Sequence, residues 1–588
     1  MYEVNVLAYL QDRAAEFRGE IVGANLQYDL DYLEEWGVTF HKDVRFRDVQ
    51  IAAPLIYELH MSYSLDSIAG RLGLPLKDES ELLEVGRLWG LGDDIKAIKR
   101  QLWKLPSYHV GAYAEYDAEL PLRILEIQER EIEKQNLQEV WDLETDNLPV
   151  ALAMRRRGVR IDKAQLQKIS DWATEVETEE VAKIRAITGV PVGFGDTQKA
   201  TLLSQALKEI GLVCPLTEKT KKPSVTADFL RAHPHPVTEA LLRAKQFAKL
   251  RTTFCKQVWE QLIDDRVHCT FNQVRTEKPG SEDLMGAAFG RWSSSNFNIQ
   301  NQPIKHEEYG KLWRSIYVPD HGLDWVSSDF SSQEPRLAVH FATLMGYPGA
   351  AATAASYWSD LNTDPHSATA AMMFPKQWEH LGPAYAKGLE EGGEQYEKAS
   401  GLRAMAKTIF LGLCYGMGGG KLCVDLGLDT VSKSFASWKT GETIQYMAPG
   451  TEGQALLDKF HSRVPFIGML DEECQRRGKI RGYVITLSGR RCRFQLYKGE
   501  YLELRKGLNK VIQGSAGDQI KAALRDLHKA GIPIQLTVHD EVDWSSNSEE
   551  EMRFVGETMK NAVKLKVPSR VDVEYGSSWG SLTNKVKL

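Results

Sequence analysis

Apolar and polar positions change rhythm along this chain. Residues 1 to about 135 alternate between short strand-like and helix-like stretches rich in Leu and acidic residues, among them the apolar run Ile51-Ala-Ala-Pro-Leu-Ile-Tyr57. From about 140 to 275 a helical period dominates. Between Leu241 and Leu262, the residues Leu250, Phe254, Val258 and Leu262 recur every fourth position, which predicts one slowly drifting apolar stripe. Arg243, Lys245, Lys249, Arg251 and Lys256 decorate the same stretch, either as a solvated face or as a helix laid along phosphates. From about 345 to 445 the pattern predicts small-residue helices and Gly-rich turns (Ala350 to Ala355, Gly416 to Gly420), with Glu390 to Glu397 as an exposed acidic insertion. No repeat of fixed period and no long low-complexity linker interrupts the series.

Two β-favouring segments end in acids. Leu323-Asp-Trp-Val-Ser-Ser-Asp-Phe330 delivers Asp329 to a strand-to-helix junction, because Ser331-Ser-Gln-Glu-Pro-Arg-Leu337 reads as a helix start. In the second, Ile534, Leu536 and Val538 alternate with Gln535, Thr537 and His539, which predicts a strand with one apolar and one polar face. The alternation breaks at His539-Asp540-Glu541, a predicted hairpin tip. Lone acidic turns are usually only solvated. Two carboxylates brought together by a sheet suit Mg²⁺, a hard cation commonly shared with substrate phosphates. A pair of such ions would stabilise the attacking and leaving oxygens of an in-line phosphoryl transfer. A third segment, Leu402 to Gly416, places Arg403, Lys407, Leu411 and Tyr415 on one helical band, with Met405, Ile409 and Leu413 on the opposite side. Two cations, an aliphatic and an aromatic group suit a nucleoside triphosphate, although an amphipathic surface helix would look the same.

Composition narrows the classes. A chain of 588 residues exceeds the size of one hydrophobic core, so two to four domains are expected. Its 43% hydrophobic and 26% charged residues exclude collagen-like, broadly disordered and disulfide-scaffold proteins. The formal charge of -7 confines any polyanion site to a local patch. Between Arg476 and Arg493 seven basic residues occur with no acid, making that stretch a candidate. The seven cysteines lack zinc or redox spacing and read as packing residues of a reducing compartment. No apolar run approaches membrane-spanning length, so a cytoplasmic protein without membrane contact is expected.

Taken in order, the motifs resemble those of the family A DNA polymerases, the group of bacterial DNA polymerase I and its phage relatives. Asp329 to Arg336 is similar to the first palm motif, Arg403 to Gly416 to the fingers helix, and Val538 to Glu541 to the second palm motif. Gly290 to Asn301, Gly482 to Arg491, and Arg505 through Asn509 to Gln513-Gly514 extend the match. The resemblance implies an α/β multidomain, right-hand fold: an antiparallel palm sheet with helical thumb and fingers, preceded by a partial ribonuclease H-like exonuclease domain. Expected boundaries are 1–135 for the exonuclease-like part, 136–275 for the thumb and connecting helices, 276–345 for the first part of the palm, 346–500 for the fingers and 501–588 for the rest of the palm. It also implies extension of a primer 3′ end by dNTPs on primer-template DNA, by a monomer whose replisome or processivity partner is unknown. Asp329 and Asp540 would hold two Mg²⁺ ions, replaceable by Mn²⁺, with the Phe330 carbonyl as a further ligand. Arg403 and Lys407 would grip the triphosphate, Lys407 also protonating the leaving pyrophosphate, and His366 would help at the phosphates. Tyr415 would lie near the templating base pair, and Arg291, Arg505, Asn509, Gln513 and His539 would contact the primer-template. Glu334 would exclude a 2′-hydroxyl.

Departures from the pattern carry their own expectations. Leu411 stands where the family usually has Phe or Tyr, which predicts altered sugar discrimination and poor use of dideoxynucleotides. Ser332-Gln333 and Pro335 also depart from the usual first palm motif. Asn25 to Asp29 and Tyr113 to Asp117 resemble the second and third motifs of a 3′→5′ proofreading exonuclease, but no Asp-x-Glu pair precedes Asn25. Asn25, Asp29, Tyr113 and Asp117 are therefore expected to be vestigial, and no 5′-nuclease region is found. A single-subunit RNA polymerase and a DNA-binding scaffold without activity remain as alternatives.

Overall fold

The computed structural model describes residues 2–217, 220–277, 284–285, 289–304, 306–379, 393–436 and 443–588. Near the N-terminus, β1 (Glu20–Gly23), α1 (Leu26–Glu35), β2 (Arg45–Asp48), α2 (Val49–Ile56), α3 (Ser107–Lys134) and α4 (Gln138–Arg157) build a first layer in which β1 and β2 pair in parallel. The run 51–57 is largely α2, capped by Asp48, with Ile51, Ala52, Ala53 and Leu55 buried. The helix α4 serves two cores: Val140, Trp141, Leu148 and Leu152 face the N-terminal one, while Val150, Ala151 and Met154 join that of the central sheet.

Next, α5 (Lys163–Thr188) packs against α6 (Pro236–Lys249). The chain then winds as a π-helix over Leu250–Cys255 before resuming as α7 (Lys256–Gln261), and Leu262 already belongs to a short strand. Leu250 and Val258 are fully buried and Phe254 packs partly against the same core. The wider π turn corrects the expected drift, because it turns a four-residue spacing back onto one side. The basic residues here are structural: Arg243 pairs with Glu180 (2.7 Å) and Glu308 (2.5 Å), Arg251 with Glu177 (2.7 Å), and Lys245 donates to the Val225 carbonyl (2.6 Å).

The C-terminal half runs β3 (Asp324–Phe330), α8 (Gln333–Leu344), α9 (Pro365–Met373), α10 (Glu394–Cys414), α11 (Gly419–Asp425), β4 (Thr430–Ala436), β5 (Thr443–Pro449), α12 (Pro465–Arg481), α13 (Gly507–Lys529), β6 (Leu536–Val538), β7 (Glu541–Ser546), α14 (Glu549–Asn561), β8 (Val571–Gly576) and β9 (Leu582–Val586). Five of these strands form an antiparallel sheet in the order β6-β7-β3-β8-β9. This sheet with helical units on either side is the α/β multidomain arrangement expected. Ile520, Leu524 and Leu527 of α13 and Met552 and Val555 of α14 share a core with Trp325, Val542, Trp544 and Val573 of the sheet. All seven cysteines are buried and free, as packing residues. Among the described residues no helix is long and apolar enough to cross a membrane.

Three expectations need correction. Gln535 and Thr537 are not a solvated face: both are buried, Gln535 bonded to Ser545 and Asp320 and Thr537 to the Glu541 carbonyl. The basic stretch 476–493 is not an open polyanion patch, since Arg476 and Arg477 pair with Glu473, Arg493 pairs with Glu58 (2.6 Å), and Arg490 is buried against Glu144. Residues 430–449 form a β-ribbon, not helices and turns; alternation in Val431, Lys433 and Phe435 is the signal for it. Of the acidic insertion, residues 390–392 lie outside the described residues, and Glu394 and Glu397 are exposed in the first turns of α10.

Candidate active site

The register of the sheet places carboxylates side by side. Asp329 of β3 lies opposite Glu541 of β7 on one edge and Asp572 of β8 on the other. Opposed residues share a face, and like charges there repel. Asp540 sits in the two-residue turn between β6 and β7, and its carbonyl accepts from the Phe330 amide (3.3 Å), which brings it next to Asp329. That turn is strained: His539 has φ 61°, a left-handed conformation that favours glycine. Ser332, at φ 54°, makes the sharp bend from β3 into α8. Glu541 lies in β7, not at the tip as expected. The Phe330 side chain is buried beneath.

The four acids are not equivalent. Glu541 accepts from the Ser327 hydroxyl and the Trp579 indole (2.7 Å each), and Asp572 pairs with Arg570 (2.8 Å). Asp329 and Asp540 form no ion pair among the described residues. Asp329 is exposed on the sheet surface, yet surrounding protein weakens its solvation, and the charges of Asp540, Glu541, Asp572 and Glu574 add repulsion. Its carboxyl is pushed up to about 8. Desolvation raises Asp540 to about 6 despite the nearby Arg291. Two acids destabilised for want of positive charge are a fitting donor set for divalent cations. Among the described residues, no group of three or more His, Cys, Asp or Glu side chains is arranged to hold a metal, so any ion here would complete its shell with substrate oxygens and water.

Helix α10 overlooks this floor. Arg403 donates to Asp364 through Nε (2.7 Å) and a terminal nitrogen (3.1 Å); Asp364 also caps α9 by accepting from the Ser367 amide (2.9 Å). Burial opposes the charge of Asp364, but Arg403 and Ser367 hold its carboxyl down at about 2. Asp364 escapes sequence reading because its role arises only when α9 and α10 pack together. Lys407 is exposed one turn beyond Arg403, and His366 on α9 is buried, its Nδ1 bonded to no protein group. Burial, with Arg403 and Lys407 nearby, lowers His366 to about 4, so it is neutral near pH 7 and can act only as a hydrogen-bonding group. Leu411 leans on the core behind α10.

At the end of α10, Tyr415 donates its hydroxyl to Glu334, whose other oxygen accepts from Arg291 (2.7 Å). Arg291 and Glu334 both act on Asp540, so this chain of contacts leads from the helix to the acids. Gly416 has φ 69°, and a Cβ there would lie 2.2 Å from the Arg505 carbonyl oxygen, so only glycine allows this approach. Arg505 is exposed; Asn509 and Gln513 follow at four-residue steps along α13. Arg291 and His539 line a small hollow with Gln300, Lys521 and Thr537. Beneath, a buried network unread in the sequence joins Glu144 of α4 to Lys521 of α13 and to Arg490. Lys521 donates to the Gly290 carbonyl (2.5 Å), while Asp518 accepts from Thr486 (2.5 Å) and the Ser488 amide (2.9 Å).

The residues resembling exonuclease motifs also meet. Asp29 on α1 is raised by burial and then by Asp117 on α3. Asp117, however, is ion-paired with Lys77, and Lys77 and Lys99 lie over the Tyr113 ring (5.2 Å each). Asn25 (φ 62°) starts α1 and lines a separate cleft of about 290 Å³ with Asp48 and Arg275.

Comparison with known proteins agrees with this geometry. The chain is 42% identical to the DNA-directed DNA polymerase of Pseudomonas phage M6, covering 98% of this chain and 85% of that protein. It is 28% identical to the DNA polymerase DpoZ of Salmonella phage PMBT28, over 96% of this chain and 88% of that one. The POL domain of Pol1 from M. smegmatis, solved in complex with DNA primer-template and dNTP, shares its fold with a TM-score of 0.72 at 22% identity, covering 99% of this chain and 89% of that one. With residues 164–581 matched by the profile of DNA polymerase family A, the chain belongs to that family.

Proposed function

We propose that this enzyme, a DNA-directed DNA polymerase, extends a primer 3′ end with dNTPs and releases pyrophosphate by two-metal-ion phosphoryl transfer. The observation that carries the reading is the unpaired couple Asp329 and Asp540, facing the contact chain Arg291, Glu334 and Tyr415 at the end of α10. Asp329 and Asp540 would hold Mg²⁺, with the Phe330 carbonyl. When bound, such ions neutralise the developing charge on the attacking and leaving oxygens. Arg403 binds the triphosphate by exchanging Asp364 for phosphate oxygens, a fork geometry suited to both. Lys407, already exposed, orients the outer phosphates and can give a proton to the departing pyrophosphate. Neutral His366 donates a hydrogen bond there.

Glu334 occupies the space beside the sugar and, held by Tyr415 and Arg291, cannot swing away to admit a 2′-hydroxyl. Arg291, Arg505, Asn509, Gln513 and His539 touch the primer-template near its growing end, where such contacts sense shape without reading sequence. The thumb corresponds to residues 136–275, the palm to 276–345 and 501–588, and the fingers to 346–500; residues 1–135 are a degenerate exonuclease domain. Proofreading is absent, because Lys77 neutralises Asp117 and β1 offers only Glu20, itself paired with Arg47 (2.9 Å).

Primer extension tests the reading. The parent is expected to extend with Mg²⁺ and dNTPs, and far less with rNTPs. Asp540→Asn should lose extension roughly a thousandfold while binding primer-template as before. Near-normal extension by that variant, or preferred use of rNTPs by the parent, would refute it.

A further inference from the structure

The reaction as described makes no use of the ribbon β4–β5. Its strands pair over seven positions, from Thr430 opposite Pro449 to Ala436 opposite Thr443. Since opposed residues share a face, one face carries Val431, Lys433, Phe435, Ile444 and Tyr446, and the other is mainly polar. The four apolar side chains of that face are 51%, 50%, 43% and 45% exposed for Val431, Phe435, Ile444 and Tyr446. A contiguous exposed patch of this kind marks an interaction surface. The rings of Phe435 and Tyr446 are 5.8 Å apart and set edge to face at 68°, with Lys433 directly opposite Tyr446. Neither strand contains an acidic residue, although the whole chain carries a formal charge of -7. Aromatic rings beside a cation, with no acid nearby, complement a polyanion that has flat, unpaired faces.

Position narrows the occupant further. A Cβ on Gly420 would lie 1.7 Å from the Met447 carbonyl oxygen, so β5 lies flat on α11. That helix starts four residues after Tyr415, which ties the ribbon to the end of α10 where the templating base is placed.

We infer that this face binds the unpaired template strand ahead of the active site, with bases stacked on Phe435 and Tyr446 and phosphates near Lys433. This rests on the polymerase reading above. Base-aromatic stacking tolerates any sequence, as a template track requires.

The test measures binding of the full chain to fluorescent primer-templates sharing one duplex, with template overhangs of about 12 or about two nucleotides. The double variant Phe435→Ala/Tyr446→Ala is expected to bind the long overhang about tenfold more weakly and the short one as the parent does. Phe435→Tyr should retain parental binding, and Lys433→Glu should weaken the long overhang and flatten its salt dependence. Unchanged binding of the long overhang, equal loss on both, or a loss that follows a non-template flap would overturn the inference. So would a parent whose self-association disappears in the double variant, which would make the face a protein interface. A parent that extends both substrates while the double variant still binds the long overhang normally defeats only the ribbon assignment. A parent that binds DNA but extends neither substrate defeats the polymerase reading itself.

Discussion

Replacing Glu144 by Gln should loosen the joint between α4 and the sheet far more than its distance from the reacting groups suggests. Glu144, Arg490, Asp518 and Lys521 are 1%, 6%, 1% and 1% exposed, so the loss of one charge leaves cations without compensation in a site closed to water. Removing one partner from a buried pair costs about 3–5 kcal/mol. An internal reference lies on the same two helices: Lys529 of α13 pairs with Asp146 of α4 at 2.7 Å on the surface, and Asp146→Asn should cost only about 0–1 kcal/mol. Native-state hydrogen exchange is the suitable assay, because unfolding of a chain with several cores is not one all-or-none event. At about 1.4 kcal/mol per factor of ten, amides of α13 should exchange a hundredfold to a few thousandfold faster in Glu144→Gln, and less than about tenfold faster in Asp146→Asn. Acidity provides a second arm. Burial opposes ionisation of Glu144, but Lys521 and Arg490 outweigh it and hold its carboxyl below the usual 4.5. A value depressed by folding gives stability that is complete above the unfolded value and is lost as pH falls through the folded one. Protection of α13 in the parent should therefore weaken more steeply below about pH 4.5 than in the variant. Equal protection in Glu144→Gln and Asp146→Asn would refute the argument.

Three further outcomes are expected. Glu334→Ala, which frees Tyr415 and Arg291 and opens the space beside the sugar, should raise ribonucleotide incorporation roughly tenfold or more; single-nucleotide insertion kinetics with rNTP and dNTP check it, and no increase would remove the gate assignment. Leu411→Tyr supplies the ring and hydroxyl that the parent lacks and should raise termination by dideoxynucleotides roughly tenfold, as seen on sequencing ladders; equal termination would show that Leu411 does not set this preference. The parent should not degrade single-stranded DNA in Mg²⁺, and a degradation that vanishes in Asp29→Ala would restore proofreading to this chain.

What can be read from the sequence follows the range of the forces involved. Asp329 and Asp540 are legible because strand ends and turns are local: an apolar run stops, and an acid stands at the stop. The band Arg403, Lys407, Leu411 and Tyr415 is equally local, since helix geometry alone places four-residue steps together. The partners of these residues are not local. Asp364 meets Arg403 across 39 positions and Glu144 meets Lys521 across 377, distances over which no periodicity carries information. The same blindness made the basic stretch 476–493 look like a nucleic-acid surface, because Glu58, which satisfies Arg493, lies 435 positions away. Polar alternation misled at Gln535 and Thr537 since a central strand is covered on both sides, and its polar side chains bond within the sheet.

The π segment Leu250–Cys255 has an implication for how such a helix tolerates change in length. It accommodates one residue more than regular winding would, and this surplus keeps Val258 pointing inward. Deleting a single residue there would let the rod wind without interruption, but everything beyond would rotate by about 100° relative to its present bearing. Val258 would leave the interior and Lys256 would sweep toward it. The irregularity is thus a register device, and homologous rods of different length are expected to gain or shed residues in whole turns on either side of it.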